Sequence, residues 1–327
     1  MSAGAAPRRV AVLGVSGIGR HHAKWWHLEG AEVCAFLGRS AESLGRATET
    51  IKGMFPCRGR GYTSLPELLA EQRPDIVDVC TPSHLHYPHA RAALQAGCAV
   101  LCEKPFVYDA DLTSAQMLGQ ARELLALAER QQVGFGVCTQ YVVSARLCLA
   151  ICPDRFQRLE SYRGYLVSPT RGRAPDPQHT WIDLAPHLLG AIQVVCPDGQ
   201  PDWTRLELDF AGHHARAQFP LRRPDGSSVH CDIDTAHTDT EPKNVRRLTF
   251  NDYTFDIGGC SDAAGVFQAR IQTADGVTDR EDAMRLLIRS FGAGRAEVPG
   301  PLALCNLEWM LRILDAAAAR GRTDAER

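Results

Sequence analysis

No run of about 20 apolar residues, the length a membrane helix needs, occurs anywhere in the 327-residue chain. The stretch Met1 to Arg9 lacks the apolar core of a signal peptide and passes straight into a strand-like run. Charge of one sign is not in excess either: 36 Lys and Arg against 38 Asp and Glu leave a formal charge of −2. That balance supplies no surplus cations to neutralise phosphates, so neither nucleic acid nor an anionic membrane is expected as a partner. C-x-x-C pairs are absent although the chain has 12 cysteines. Cys34, Cys80, Cys98, Cys102 and Cys138 fall in apolar strand-like runs, where a thiol behaves as a small hydrophobe. Reduced core cysteines in a cytoplasmic protein are therefore expected, not a disulfide framework. His84, His86 and His89 have no acid or thiol at ligand spacing, and no metal site is expected from them.

What is present is ordinary globular composition, 45% hydrophobic and 23% charged, at a length that predicts two domains. The first part alternates short apolar strands with helices. Strands are predicted at Val10–Gly14, Glu32–Leu37, Ile76–Cys80, Ala99–Cys102 and Val133–Val137, and helices at Gly17–Glu29, from Ala41, at Leu65–Leu69, Tyr87–Ala96 and Asp111–Gln132. Such alternation means βαβ units and a doubly wound parallel sheet. After about Cys138 the texture changes to half-buried strands with few helices, the exceptions being Trp181–Val195, Arg280–Phe291 and Leu302–Arg320. The predicted fold class is thus α/β, an N-terminal Rossmann domain (7–138) followed by an α+β domain (139–327) on a mostly antiparallel open sheet.

Gly14-Val15-Ser16-Gly17-Ile18-Gly19 joins the first strand to the first helix. In that context Gly14 permits the tight turn, and Gly19 lets the helix pack closely on the sheet. The helix N-terminus then offers free N–H groups to a pyrophosphate. The strict G-x-G-x-x-G fingerprint would have glycine where Ser16 stands, and serine is small enough for the backbone still to approach phosphate. The second strand ends in Phe36-Leu37-Gly38-Arg39-Ser40, without the acid that binds the adenosine ribose in NAD-preferring domains. Arg39 and Ser40 could instead receive a 2′-phosphate, which points to NADP with NAD possible. Ser40 could equally cap the next helix.

The string Val77-Asp78-Val79-Cys80-Thr81-Pro82-Ser83-His84-Leu85-His86 continues through Ala93-Leu94-Gln95-Ala96-Gly97 to Val100-Leu101-Cys102-Glu103-Lys104-Pro105. It resembles the Gfo/Idh/MocA oxidoreductases, the family of glucose–fructose oxidoreductase, inositol dehydrogenase and rhizopine catabolism. The Thr-Pro turn, His86 and the Glu-Lys-Pro tripeptide carry the likeness. It reappears at Trp181-Ile182-Asp183-Leu184-Ala185-Pro186-His187 and faintly around Phe291. The resemblance implies NAD(P) bound by the first domain, with Thr81, Pro82, His86, Glu103 and Lys104 joining Gly14, Ser16, Gly17, Ile18, Gly19, Arg39 and Ser40 as cofactor contacts. It further implies Lys104 as catalytic lysine, Asp183 and His187 as its partners, and an open second-domain sheet that joins subunits as a homodimer or homotetramer.

Chemistry supports those assignments independently. Lys104 follows a strand directly, at the carboxyl edge where doubly wound sheets bind ligands. Asp183 and His187 are four apart in a predicted helix and so share a face. A carboxylate there can orient an imidazole that takes a hydroxyl proton. The alternative is that Asp183 only caps its helix. Arg171, Arg173 and His179 could meet an anionic group of the substrate. Gln140-Tyr141 stands where some relatives have an arginine. The expected activity is hydride transfer between nicotinamide and a hydroxyl or ketone carbon of a sugar, cyclitol or similar small polar substrate. A nucleotide-binding regulator or an NAD-dependent glycoside hydrolase of the same fold is the alternative.

Overall fold

The structure, a computed structural model, describes residues 6–156 and 158–325, and side chains as far as residue 320. Two compact units divide the chain: residues 1–138 with 284–304, and residues 139–283 with 305–327. The boundary expected from the sequence places 284–304 in the second domain instead.

In the first unit the chain runs β1 (Arg9–Leu13), α1 (Gly19–Leu28), β2 (Glu32–Leu37), α2 (Ala41–Met54), β3 (Arg60–Tyr62), α3 (Leu65–Gln72), β4 (Ile76–Val79), α4 (His86–Gln95), β5 (Ala99–Glu103), α5 (Ser114–Gln131) and β6 (Phe135–Cys138). The six strands form one parallel sheet in the order β3-β2-β1-β4-β5-β6, the expected Rossmann arrangement. β1 and, apart from Asp78, β4 at its centre are apolar because helices cover both faces: Val10, Ala11, Val12, Leu13, Val77 and Val79 are fully buried. α1 begins two residues later than predicted, since Val15 to Ile18 form the turn. α3 starts at the cap Ser64, with proline in its first turn as expected.

The second unit contains α6 (Tyr141–Ile151), β7 (Ser161–Ser168), α7 (Pro177–Val195) and strands β8 (Gln200–Pro201), β9 (Glu207–Ala211), β10 (His214–Arg222), β11 (Ser228–His237), β12 (Val245–Phe250), β13 (Tyr253–Ser261), β14 (Phe267–Thr273) and β15 (Gly276–Glu281). They make a nine-stranded sheet, β15-β14-β13-β12-β7-β11-β10-β8 with β9 paired to β10, antiparallel except where β7 meets β11. Two helices follow, α8 (Ala283–Gly292) and α9 (Gly300–Ala325). α8 belongs with the first unit: Arg285 and Arg289 both pair with Glu29 just past α1.

α7 lies on one face of the large sheet, where Tyr162 donates a hydrogen bond to the carbonyl of Leu188 at 2.9 Å. Ala215, Ala217, Phe219 and Leu221 of β10 turn inward and are buried, while His214, Arg216 and Gln218 turn outward. The outward face is polar. Arg216 grips Asp232 with two bonds of 2.8 Å, and Arg163 and His214 each hold Asp234 at 2.9 Å. Arg247–Asp256 and Arg270–Asp279 continue the pattern toward the other edge. Apolar alternation along these strands serves the helix-covered side, leaving cross-strand ion pairs outside.

All twelve cysteines are unpaired. No helix among the described residues is long and apolar enough to cross a membrane.

Candidate functional site

Gly14 is needed at the first βα turn on two counts. Its φ is +87°, and a Cβ there would stand 2.6 Å from the Cys80 carbonyl oxygen and 2.9 Å from Thr81 Cα. At Gly19 a Cβ would meet the Gly14 carbonyl oxygen at 2.3 Å, so glycine lets α1 close onto the turn. The Gly14 turn and the Thr81-Pro82 turn are therefore in backbone contact at the carboxyl edge of adjacent strands. Between the two glycines, Ser16, Gly17 and Ile18 are exposed, with nothing near Gly17. α1 has no side-chain cap and no acid in its first turn, which leaves its amides and partial positive charge for an anion.

At the end of β2, Arg39 and Ser40 are both exposed. Ser40 caps α2: its hydroxyl accepts the Ser43 N–H at 3.2 Å, and Ser43 answers in a capping box. The helix-cap reading of Ser40 is the one realised, while Arg39 extends from the same corner.

His86 opens α4 and is buried. Its Nδ1 lies 2.8 Å from the Pro105 carbonyl and its Nε2 2.9 Å from the Thr81 carbonyl. Burial pushes its pKa down. The ring ties the Thr-Pro turn to the Glu103-Lys104-Pro105 segment, so its part at the site is that of a brace. His89 stands beside it with Nδ1 3.2 Å from Thr81 Oγ1, and burial lowers its pKa to about 4. Glu103 accepts the Lys104 N–H through Oε2 at 3.1 Å, and Lys104 itself is half-buried.

A further group was not anticipated. His22 on α1 presents Nδ1 to Asp78 Oδ2 at 2.9 Å, and Trp26 donates to the same oxygen at 2.7 Å. His22 Nε2 faces Glu103 Oε1 at 3.1 Å, an ion-pair contact whose angle falls short of a hydrogen bond. With Cys80 and Cys138 these residues form two sets of ligand-type side chains, a possibility that weighing only His84, His86 and His89 passes over. The signal available in the sequence was Asp78, an acid inside an apolar central strand.

In the second unit α7 starts earlier than expected. Asp176 caps it by accepting the His179 N–H at 3.0 Å, and proline stands in the first turn. Asp183 is thus an interior residue of the helix and not its cap. Asp183 Oδ2 is held 3.2 Å from His237 Nε2 and 3.6 Å from Arg173. His237, at the end of β11, is buried with Nδ1 3.2 Å from Thr180 Oγ1. Sequence reasoning missed His237, since nothing near it marks it as a partner of a helix 54 residues away. His187 lies one helical turn beyond Asp183, its ring 5.1 Å from that of Tyr141. Tyr141 is buried, which raises its hydroxyl pKa. Arg171 and His179 are exposed.

Residues 8–139 match the family described as the oxidoreductase family with an NAD-binding Rossmann fold. The chain is 33% identical over 152 residues to UDP-N-acetylglucosamine 3-dehydrogenase of Acidithiobacillus ferrooxidans, covering 42% of this chain and 45% of that protein. It is 30% identical over 129 residues to D-glucoside 3-dehydrogenase of Escherichia coli, covering 38% and 32% respectively. The match thus spans less than half the length of these curated relatives. The solved structure of the Acidithiobacillus enzyme superposes with a TM-score of 0.70 at 19% identity, covering 94% of this chain and 97% of that one, a likeness of fold. The Rossmann match, with the Thr-Pro and Glu-Lys-Pro motifs it contains, makes residues 8–139 similar to the Gfo/Idh/MocA oxidoreductases.

Proposed function

We propose that this protein is an NAD(P)-dependent oxidoreductase acting on a hydroxyl or ketone carbon of a sugar, cyclitol or related polyol. The observation that carries the reading is the carboxyl edge of the parallel sheet. There the Gly14 turn, too tight for any Cβ, meets the Thr81-Pro82 turn below an uncapped α1 and beside Lys104. That arrangement fits a dinucleotide: Ser16, Gly17 and Ile18 leave the approach to the α1 amides free of large side chains save Ile18, which is exposed. The names of the relatives, dehydrogenases of sugar substrates, support the substrate class.

The bound nucleotide would supply the hydride acceptor or donor. The chain's own part is proton handling and alignment. We assign Lys104 to the substrate oxygen, where an ammonium stabilises developing negative charge. His187 takes the hydroxyl proton in oxidation and returns it in reduction. Asp183, anchored by His237 and Arg173, orients the reacting group.

We also propose NADP as the preferred cofactor. β2 ends without an acid, and Arg39 is exposed just beyond it, where a 2′-phosphate would find a cation. Ser40, engaged as a helix cap, contributes by shaping the corner. A homodimer or homotetramer joined through the large sheet, in a cytoplasmic setting, completes the reading.

The test is a panel of aldoses, cyclitols, 1,5-anhydro sugars and UDP-hexoses, assayed at 340 nm in both directions with each cofactor. Cofactor-linked turnover of one class is expected, and no absorbance change with any member would overturn the proposal.

A further inference from the structure

We propose that His22 is a positioning residue: an imidazolium buried inside the Rossmann unit that holds the Glu103 carboxylate in place and, through it, the main chain that carries Lys104. His22 and Asp78 are completely buried, and Glu103 keeps only 13% of its side chain exposed. A carboxylate cannot stay in such a place without partners. Asp78 finds them in His22 Nδ1, the Trp26 indole N–H and, at 3.4 Å from its other oxygen, the Cys80 thiol. The opposite ring nitrogen of His22 then meets a second carboxylate at 3.1 Å. A neutral imidazole has one N–H and one lone pair, so it would set its lone pair against one of these anions. Only the doubly protonated ring sets an N–H and positive charge, not a lone pair, toward both.

The groups facing His22 are Asp78 and Cys80 from β4 and its end, Glu103 from β5 and Cys138 from β6. Along α1 there are His21, Trp25 and Trp26. The Asp78 and Glu103 charges outweigh desolvation and raise the His22 pKa to about 10. One cation between two anions leaves one net negative charge in the cluster. Glu103 Oε2 in turn accepts the Lys104 N–H. The consequence for turnover rests on the proposed function; the clamp itself does not.

The experiment uses the full chain with 15N-labelled histidine. The His22 ring is expected to carry both protons at pH 8, and Glu103→Gln to lower its titration midpoint by about one pH unit or more. In His22→Gln, deuterium exchange in the peptide spanning 101–108 should accelerate about tenfold while β1 stays protected, as expected for a local loosening. Should that variant not fold, the Glu103→Gln titration decides alone. A neutral His22 ring at pH 8, a midpoint unmoved by Glu103→Gln, or unaltered exchange in a folded His22→Gln would each overturn the proposal. So would a stoichiometric metal in the purified protein, since an ion would replace the ring protons. None of these readings needs enzyme activity, so they separate failure of the clamp from failure of the proposed function.

Discussion

His86 Nδ1 lies 2.8 Å from the carbonyl oxygen of Pro105, and the same ring reaches the Thr81 carbonyl at 2.9 Å. One buried side chain therefore braces the two loops on which the family likeness rests. His86→Leu would remove the single N–H that a neutral ring donates to one of these carbonyls, at a cost of roughly 1–3 kcal/mol. A lower midpoint in urea and weaker nucleotide binding are expected together. Unchanged values for both would mean the brace is dispensable.

Turnover should depend on Lys104, His187, Asp183 and His237. Lys104→Ala and His187→Ala are each expected to cut kcat by roughly a hundredfold or more, the usual scale of general acid–base groups, with nucleotide affinity nearly intact. Asp183→Asn should cost less, because the amide keeps its geometry. His237→Ala should resemble Asp183→Asn, since it removes the anchor 3.2 Å from that carboxylate. Steady-state kinetics on the four variants, with their double mutants, decides it; effects of residues acting as a unit should not add.

Cofactor choice is expected to follow Arg39. Fluorescence titration should find NADPH bound more tightly than NADH, with Arg39→Ala losing about tenfold of NADPH affinity and little of NADH affinity. Tighter NADH binding, unmoved by the substitution, would remove the argument.

The glycine-rich turn separates folding from binding. Gly14→Ala forces a φ of +87° and a 2.6 Å approach onto a residue with a Cβ, and should lower stability by roughly 1–3 kcal/mol. Ser16→Leu, at an exposed position, should leave the thermal midpoint alone while weakening nucleotide binding. Equal affinity in Ser16→Leu would mean that the turn does not meet the phosphates.

Two histidines should shape stability against pH in opposite senses. For His22 the folded pKa, about 10, exceeds the ordinary 6.5, so its contribution is complete below 6.5 and is lost as pH rises through 10. For His89 the folded pKa is lowered to about 4, so its contribution is present above 6.5 and lost as pH falls toward 4. Urea unfolding across this range should show His22→Gln flattening the alkaline limb and His89→Asn the acid limb.

The sequence by itself determined the alternation of strands and helices in the first unit, because strands buried on both faces are continuous apolar runs and leave no second reading. It also placed Gly14 and Lys104 at strand ends, where βα turns gather ligands. β15 was not legible: its charged, mostly exposed run carries no alternation, and the strand exists through ladder bonds to β14. Only tertiary structure decided which polar groups meet. His22, Asp78 and Glu103 come from three elements up to 81 positions apart, and Asp183 finds His237 across a helix–sheet contact. It also turned the ion pairs of the large sheet outward and sent α8 back to the first unit. Local pattern reports which face of an element is apolar. The pairing of buried charges depends on where separate elements bring them in space, and each must find its partner there because an unpaired one could not stay buried.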